Sequence, residues 1–560
     1  MFVVIKRSKT SDRELVYIVE SYRDENQKIR QRIIRKCGVL SELLEEDPQA
    51  LEKLKEEARK MTKESTSKEI ELTISLSLPN VKGIPSVNYG YLFVESVFNS
   101  LKIERFLERR MDDQEQARKL AAALRYYSIR EFFSPLVARE DRLPLDPLFR
   151  DPEFDDPPTL EFLASLLPLQ EDLQRHIYRV ASKDDGCEDK VASLDITSYY
   201  FDSETGKSPK GESGKTSATT IDSMILVQVG FLFDRYRNPA ASVIFPEGEV
   251  AAPTLLREIA RIKKRYGLKK VVITSDRGFG SNAILGALYG SGNGYVVGIK
   301  VKNSTLSLQE EVLNENGYKW NEPGTFKFKT FMSDRIVEGN VIPEKVIAMW
   351  TANNAAKMKQ RRDKTIVDYL SNPQDFERNT RPEMDKYVRV HDTSYTPFEQ
   401  DTDHSLFSFD SESYKRDVAL DGYYALATTE LDVPETVVIK RYHNLHKIGR
   451  ALAAPDPDVG GAPRALWTYR TVQAYFLVAF VAAVMESKLK RIVGGAYSME
   501  EIKKALGSAT CKNIGQDIYG IDVKPEVLLD IEKAFGVSFD RAYATLEMLR
   551  RYRKEIASAL

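Results

Sequence analysis

Two aspartates carry the strongest chemical signal in the chain. Asp195 lies within Ala192-Ser-Leu-Asp-Ile-Thr-Ser-Tyr-Tyr, and Asp276 follows Val271-Val-Ile-Thr-Ser. A carboxylate among such apolar neighbours is costly unless it is paired or bound to metal. Alone, an aspartate at a strand end is more often a turn cap. Two of them on adjacent strands can share a divalent cation. Hard cations such as Mg²⁺ prefer oxygen ligands, and two ions about 4 Å apart can activate a nucleophile and stabilise a leaving oxygen in phosphodiester cleavage. A phosphatase with D-x-D on its first strand is excluded, because residue 197 is Thr.

The surrounding pattern predicts the elements that would bring the pair together. Residues 191–200, 224–233 and 241–245 are rich in β-branched and aromatic side chains and read as three successive antiparallel strands. An amphipathic helix at 253–266, a buried strand at 270–274, a helix at 282–289 and a strand at 295–300 follow. This β-β-β-α-β-α-β order predicts an α/β (mixed α+β) chain with an RNase H-like core, in which the fourth strand runs beside the first. The core divides into 191–303 and 416–495 around an inserted β-rich region at 304–415 with a basic helix at 355–369. Its second part holds a strand at 420–429, a helix at 434–452 and a long buried helix at 468–493.

Ahead of the core, alternation at 2–6, 15–20 and 29–34 predicts a β-meander. Asp47-Pro48 opens a helix carrying Leu51, Leu54, Ala58 and Met61. This unit, 1–75, is followed by a helical module at 76–190 suited to DNA ends or dimerisation. A C-terminal helical tail at 496–560 opens on the capping box Ser498-x-x-Glu501.

At 560 residues, 42% hydrophobic, the chain can bury several cores. Its 82 Lys+Arg against 83 Asp+Glu give no global signal for nucleic acid. The signal is local: residues 1–36 hold ten Lys/Arg against five acids, among them Lys6, Arg7, Arg32, Arg35 and Lys36. A second basic cluster, Lys263, Lys264 and Arg265, precedes Tyr266, and Arg550-Arg-Tyr-Arg-Lys is a third. Such clusters contact phosphates, although a solvated hairpin face or a helix C-terminus attracts cations equally well. Cys37, Cys187 and Cys511 form no C-x-x-C pair, which argues against a disulfide framework or zinc ribbon and fits reduced thiols in a cytoplasm. His443-x2-His446 has a spacing compatible with metal, with no third ligand in view. The longest apolar run, 474–485, is followed by Glu486 and Lys488 and reads as a core helix, not a membrane span.

On these features the chain resembles DDE transposases of bacterial and archaeal insertion sequences, in the IS-four-like superfamily branch whose third acid sits in a Y-x2-R-x3-E-x6-K helix. The resemblance spans nearly the whole chain. It is carried by Tyr17-Ile-Val-Glu-Ser-Tyr-Arg-Asp-Glu-Asn, the strand at 191–200, Phe245-Pro-Glu-Gly, Ser275-Asp-Arg-Gly and Asp421-Gly-Tyr-Tyr-Ala-Leu-Ala-Thr. It implies a Mg²⁺- (or Mn²⁺-) dependent polynucleotidyl transferase with Asp195 and Asp276 as catalytic acids and metal ligands. Arg277 and Gly278 would shape the adjoining turn. Partners would be terminal inverted repeats, target DNA and a second copy in a homodimer, in a nucleoid-associated cytoplasmic setting. Matched without gaps from Tyr442, the family helix places Leu445, Gly449 and Asp456 at its Arg, Glu and Lys positions. Gly449 thus stands where the third acid belongs, and Pro455 and Pro457 interrupt the helix beyond it. The nearby acids are Glu430, Glu435 and Glu486. An inactive enzyme, or a catalytically silent DNA-binding derivative, is the corresponding expectation.

Overall fold

The computed structural model describes residues 2–7, 14–23, 29–65, 86–137, 147–149, 158–182, 191–202, 224–245, 251–275, 281–371, 388–390, 407–451, 468–515 and 517–560. It divides into two compact units, 1–83 and 84–560.

In the first unit, β1 (Phe2–Arg7), β2 (Glu14–Arg23) and β3 (Ile29–Val39) form the antiparallel meander that the alternation predicts, with β2 in the centre. Val16, Ile18 and Val19 of β2 are fully buried, as is Ala58 of the helix Ala50–Ser65. Asp47 serves that helix by accepting from Gln49 N at 2.9 Å and from Lys53 Nζ at 2.5 Å. A second helix, Leu40–Glu46, precedes it. Its Leu40, Leu43 and Leu44 have helical spacing that the sequence reading missed.

The second unit is built on a nine-stranded sheet among the described residues. Its strands are β5 (Val191–Asp202), β6 (Met224–Phe233), β7 (Pro239–Phe245), β8 (Lys270–Ser275), β9 (Gly294–Ile299), β10 (Lys319–Glu322), β11 (Phe326–Val337), β12 (Asn340–Thr351) and β15 (Tyr423–Thr428). Numbers β13 and β14 belong to Val388–Val390 and Phe407–Phe409, which pair separately. The sheet order is β10-β11-β12-β15-β9-β8-β5-β6-β7. β5, β6 and β7 are mutually antiparallel, whereas β5, β8 and β9 run parallel. The expected insertion at 304–415 therefore contributes three strands to the main sheet through β15, which pairs antiparallel with both β9 and β12.

Alternation along the strands sorts their side chains between two faces. Ala192, Leu194 and Ile196 of β5 and Val271 and Ile273 of β8 pack with Leu255, Ile259, Ile262, Ile284, Leu285 and Leu288 from the helices Ala252–Tyr266 and Asn282–Gly290. On the opposite face, Val227, Val229, Phe231 and Phe233 of β6 pack with the helix Tyr469–Ile492. Beside them, Val272, Val296, Ile347, Met349, Tyr424 and Leu426 pack with Val438, Ile439 and Tyr442 of the helix Glu435–Ala451. Each such fully buried aliphatic or aromatic side chain contributes roughly 1.5–3 kcal/mol.

Tyr469–Ile492 is long and apolar enough by composition to cross a membrane. Within this unit it is a core helix, with most residues from Val472 to Leu489 buried, packed against the helices Tyr91–Ser100 and Gln114–Val137. The segment 496–560, read from sequence as a helical tail, also holds β16 (Thr510–Gly515), β17 (Ile518–Ile521) and β18 (Tyr543–Thr545). These form a four-stranded sheet in the order β18-β17-β16-β4, with β4 (Ser86–Asn88) drawn from the predicted helical module.

Candidate functional site

Asp195 points to the face opposite Leu194 and Ile196, between the ground covered by Tyr469–Ile492 and that covered by Glu435–Ala451. It is 2% exposed. Arg237 Nη2 donates to its Oδ2 at 2.7 Å, and Arg237 Nη1 donates to Ser193 Oγ at 3.0 Å. The guanidinium lies over the Phe233 ring, 4.1 Å from its centroid. The second carboxylate oxygen, Oδ1, is buried with no hydrogen-bond partner among the described residues. Thr274 Oγ1 and Ser275 Oγ are likewise buried and without a partner among the described residues. Thr274 is the register partner of Asp195 across β5 and β8, so the two side chains share a face.

Asp276, Arg277 and Gly278 lie outside the described residues. β8 ends at Ser275, the register partner of Ile196, one residue beyond the level of Asp195.

Glu435–Ala451, which the resemblance matches to the third-acid helix, crosses the sheet on the same face as Asp195. It starts near the amino ends of β8 and β9. There Lys345 Nζ donates to Leu431 O at 2.7 Å and Val433 O at 2.5 Å, and Lys270 pairs with Glu430 at 2.6 Å. It then runs back along β15, where Tyr442 is buried and the Tyr424 hydroxyl meets His443 Nε2 at 3.2 Å. At 1.5 Å per residue, position 449 lies about 10 Å further along the axis, toward the carboxyl ends of β8 and β9. The helix register therefore carries Gly449, and no carboxylate, in that direction. The side chains of 444–450, His446 included, lie outside the described residues.

None of the nearby acids joins a metal-holding group with Asp195 among the described residues. Glu430 is tied to Lys270, and the length of β8, about 16 Å, separates that end from Ser275. Glu435 opens the helix at the same distant end. Glu486 is ion-paired with Lys503 of the helix Met499–Gly507. Among the described residues no group of three or more His, Cys, Asp or Glu could hold a metal ion. Asp195 Oδ1 nevertheless fits one ligand of an oxygen-preferring cation: it is buried and has no hydrogen-bond partner among the described residues.

Several of the basic residues are ion-paired. Arg35 makes a two-pronged contact with Glu57, both bonds at 2.7 Å, and Arg32 pairs with Glu20 at 2.6 Å. Lys6, Arg7 and Lys36 are exposed. Lys263, Lys264 and Arg265 form the last turn of Ala252–Tyr266, where the helix dipole favours cations, and Arg265 is paired with Glu171.

Sequence reasoning missed Arg237. It lies in Asp234-Arg-Tyr-Arg-Asn, an ordinary polar turn composition, and nothing in that pattern shows that the β6–β7 turn closes onto Asp195.

Residues 3–70 match the IS1634 family transposase, N-terminal domain, so the first unit is similar to the N-terminal domain of insertion-sequence transposases. No curated protein matches the chain. Among solved structures, the chain aligns with piggyBac transposase in the cryo-EM structure of its synaptic complex with hairpin DNA. That alignment has a TM-score of 0.28 and 8% identity, and covers 86% of this chain and 87% of that one.

Proposed function

We propose that the chain is a DDE-class DNA transposase of an insertion sequence, with Asp195 as its first acid and Asp276 as its second. The observation that carries this reading is the buried Asp195 carboxylate, one oxygen of which has no hydrogen-bond partner among the described residues, in register with the last residues of β8. Leaving such an oxygen unsatisfied costs about 1–3 kcal/mol, which a stability role alone does not explain. The order β7-β6-β5-β8-β9, with three antiparallel strands followed by two parallel ones, supports an RNase H-like core. The N-terminal match supports an insertion-sequence transposase.

A bound Mg²⁺ or Mn²⁺ would supply Lewis-acid activation for phosphodiester cleavage. The chain's own residues would present Asp195 Oδ1 from β5, carry Asp276 to the neighbouring strand end, and exclude water with the helix packed through Tyr442. DNA ends, target DNA, a homodimeric assembly and a nucleoid-associated cytoplasmic setting belong to this proposal.

A second reading is a catalytically silent DNA-binding derivative. It is favoured by Gly449 and by the absence of any third carboxylate at the site among the described residues. Both are tested by Mg²⁺-dependent cleavage of DNA carrying the inverted repeats that flank the gene. The active reading expects cleavage by the native chain that is lost in Asp195→Asn and Asp276→Asn. The silent reading expects binding without cleavage, and cleavage gained in Gly449→Glu. Cleavage that survives Asp195→Asn sinks the assignment of the site.

A further inference from the structure

We infer that Arg237 is the positioning residue of the candidate metal site: it holds Asp195 by one oxygen and thereby presents the other to the cation. The inference rests on the reading of Asp195 as a metal ligand and assigns a role to a residue outside the three acids.

Arg237 adopts φ +67°, a left-handed conformation that disfavours a side chain of this size. Such strain persists only where the surroundings over-determine it. Here the turn is pinned from within and from two helices. Arg237 N donates to Asp234 O at 3.0 Å and Asp234 N to Asn238 O at 3.1 Å. The Asp234 carboxylate accepts from Asn238 N at 2.8 Å and Asn238 Nδ2 at 2.9 Å. Tyr178 of the helix Gln170–Ala181 donates to Asp234 at 3.3 Å, and Ser487 of Tyr469–Ile492 donates to Asn238 Oδ1 at 2.9 Å. The braced turn sends the guanidinium back over Phe233, where its two ends reach Ser193 Oγ and Asp195 Oδ2.

This fork fixes both the place and the rotation of the carboxylate. Ser193 and Asp195 lie two residues apart on one face of β5, so a planar guanidinium bonded to both is locked. With Oδ2 committed, Oδ1 is the oxygen left over, and the hydroxyl of its register neighbour Thr274 also has no partner among the described residues. Hydrogen bonds to a ligating carboxylate set its orientation, and their removal typically weakens metal affinity about 10- to 100-fold.

The test is Mn²⁺ binding to the purified full-length chain, followed by the paramagnetic signal of the free ion, with circular dichroism melting on the same samples. Asp195→Asn is expected to abolish binding at the site. Arg237→Gln is expected to raise the dissociation constant at least about tenfold, with Arg237→Lys recovering part of the loss because it keeps the charge but not the fork. Ser193→Ala removes one tether without disturbing a charge. It is expected to weaken binding about threefold, and it decides the matter should Arg237→Gln fail to fold. Unchanged or tighter binding in Arg237→Gln and Ser193→Ala, with Asp195→Asn still abolishing it, overturns the role of Arg237 alone. No Mn²⁺ bound by the native chain, or binding indifferent to Asp195→Asn, removes the metal reading and this inference together.

Discussion

The Tyr475 hydroxyl donates to Oε1 of Glu131 at 3.2 Å, joining the helices Tyr469–Ile492 and Gln114–Val137 inside the core. Burial pushes the Glu131 carboxyl up to about 8; the Tyr475 bond and nearby Lys503 oppose the shift, and Glu486 adds to it. Lys503 itself is ion-paired with Glu486 and lies over the Phe132 ring.

The sign of the resulting pH dependence follows from proton binding. Between an ordinary glutamate value of about 4.3 and the folded value, the native state keeps a proton that the unfolded chain has released. The stability from Glu131 is therefore complete below the lower value and falls as pH rises through the window, by at most about 1.4 kcal/mol per pH unit. Urea midpoints of the native chain and Glu131→Gln from pH 5 to 9 measure this. The amide, which cannot ionise, should become relatively more stable toward the alkaline end. Parallel curves for the two proteins refute the prediction.

Asp421, the first residue of the Asp-Gly-Tyr-Tyr motif, holds the sheet to the helix Ala352–Ser371. Arg362 donates to both its oxygens, at 2.9 and 2.5 Å, and Lys302 donates to Oδ1 at 3.1 Å. Arg362 is 8% exposed, so Asp421→Ala leaves a buried cation without its main counter-charge and should cost about 3–5 kcal/mol. In Asp421→Ala/Arg362→Met much of that loss should return, since no buried charge is then stranded. A double variant as unstable as the sum of the singles contradicts this account.

The neighbouring Gly422 has no room for a side chain. Its φ is +86°, and an added Cβ would stand 2.6 Å from Trp350 Nε1, 2.8 Å from Ala355 Cβ and 2.9 Å from Thr351 O. Gly422→Ala should cost at least about 2 kcal/mol and alter Trp350 fluorescence, because strain and overpacking coincide. Gly324, at φ +72° with nothing within 4 Å of a built Cβ, is the matched control. Gly324→Ala should lose only the conformational part, about 1 kcal/mol. Equal losses at the two sites would show that the contacts around Gly422 yield freely.

The core was legible where alternation was clean. Leu194 and Ile196 against Asp195, and Val271 and Ile273 against Val272, announce strands with two different faces, and the structure sorts them so. The β11–β12 hairpin hid its nature because buried positions carry Lys327, Lys329, Glu344 and Lys345. Lys327 sits among Tyr318, Trp320, Trp350 and Tyr423 and is paired with Glu315, so its burial depends on partners outside its own strand. The same holds for β16, whose partner Ser86–Asn88 lies more than 400 residues upstream. The burial of Asp195 could be read from the apolar residues of its strand. The contact of Arg237 with it could not, since that depends on a turn closing back over β5.

In the first unit, some basic residues are held by acidic neighbours and others make no ion pair among the described residues, and this difference predicts their behaviour toward DNA. Arg35 is held by Glu57, with both side chains more than two-fifths exposed, so Arg35→Gln should cost less than about 1 kcal/mol of stability. Because that charge is already balanced, the variant should barely change the salt dependence of DNA binding. Lys6 and Lys36 are exposed and make no ion pair among the described residues. If the meander contacts phosphates, Lys6→Gln/Lys36→Gln should weaken binding to unrelated and related duplexes alike. It should also reduce the slope of log K against log salt by about one per lysine. Fluorescence anisotropy on full-length protein between about 50 and 200 mM salt resolves a change of that size. A slope unaltered in the double lysine variant, or one that falls as much in Arg35→Gln, would place the DNA-contacting surface elsewhere in the chain.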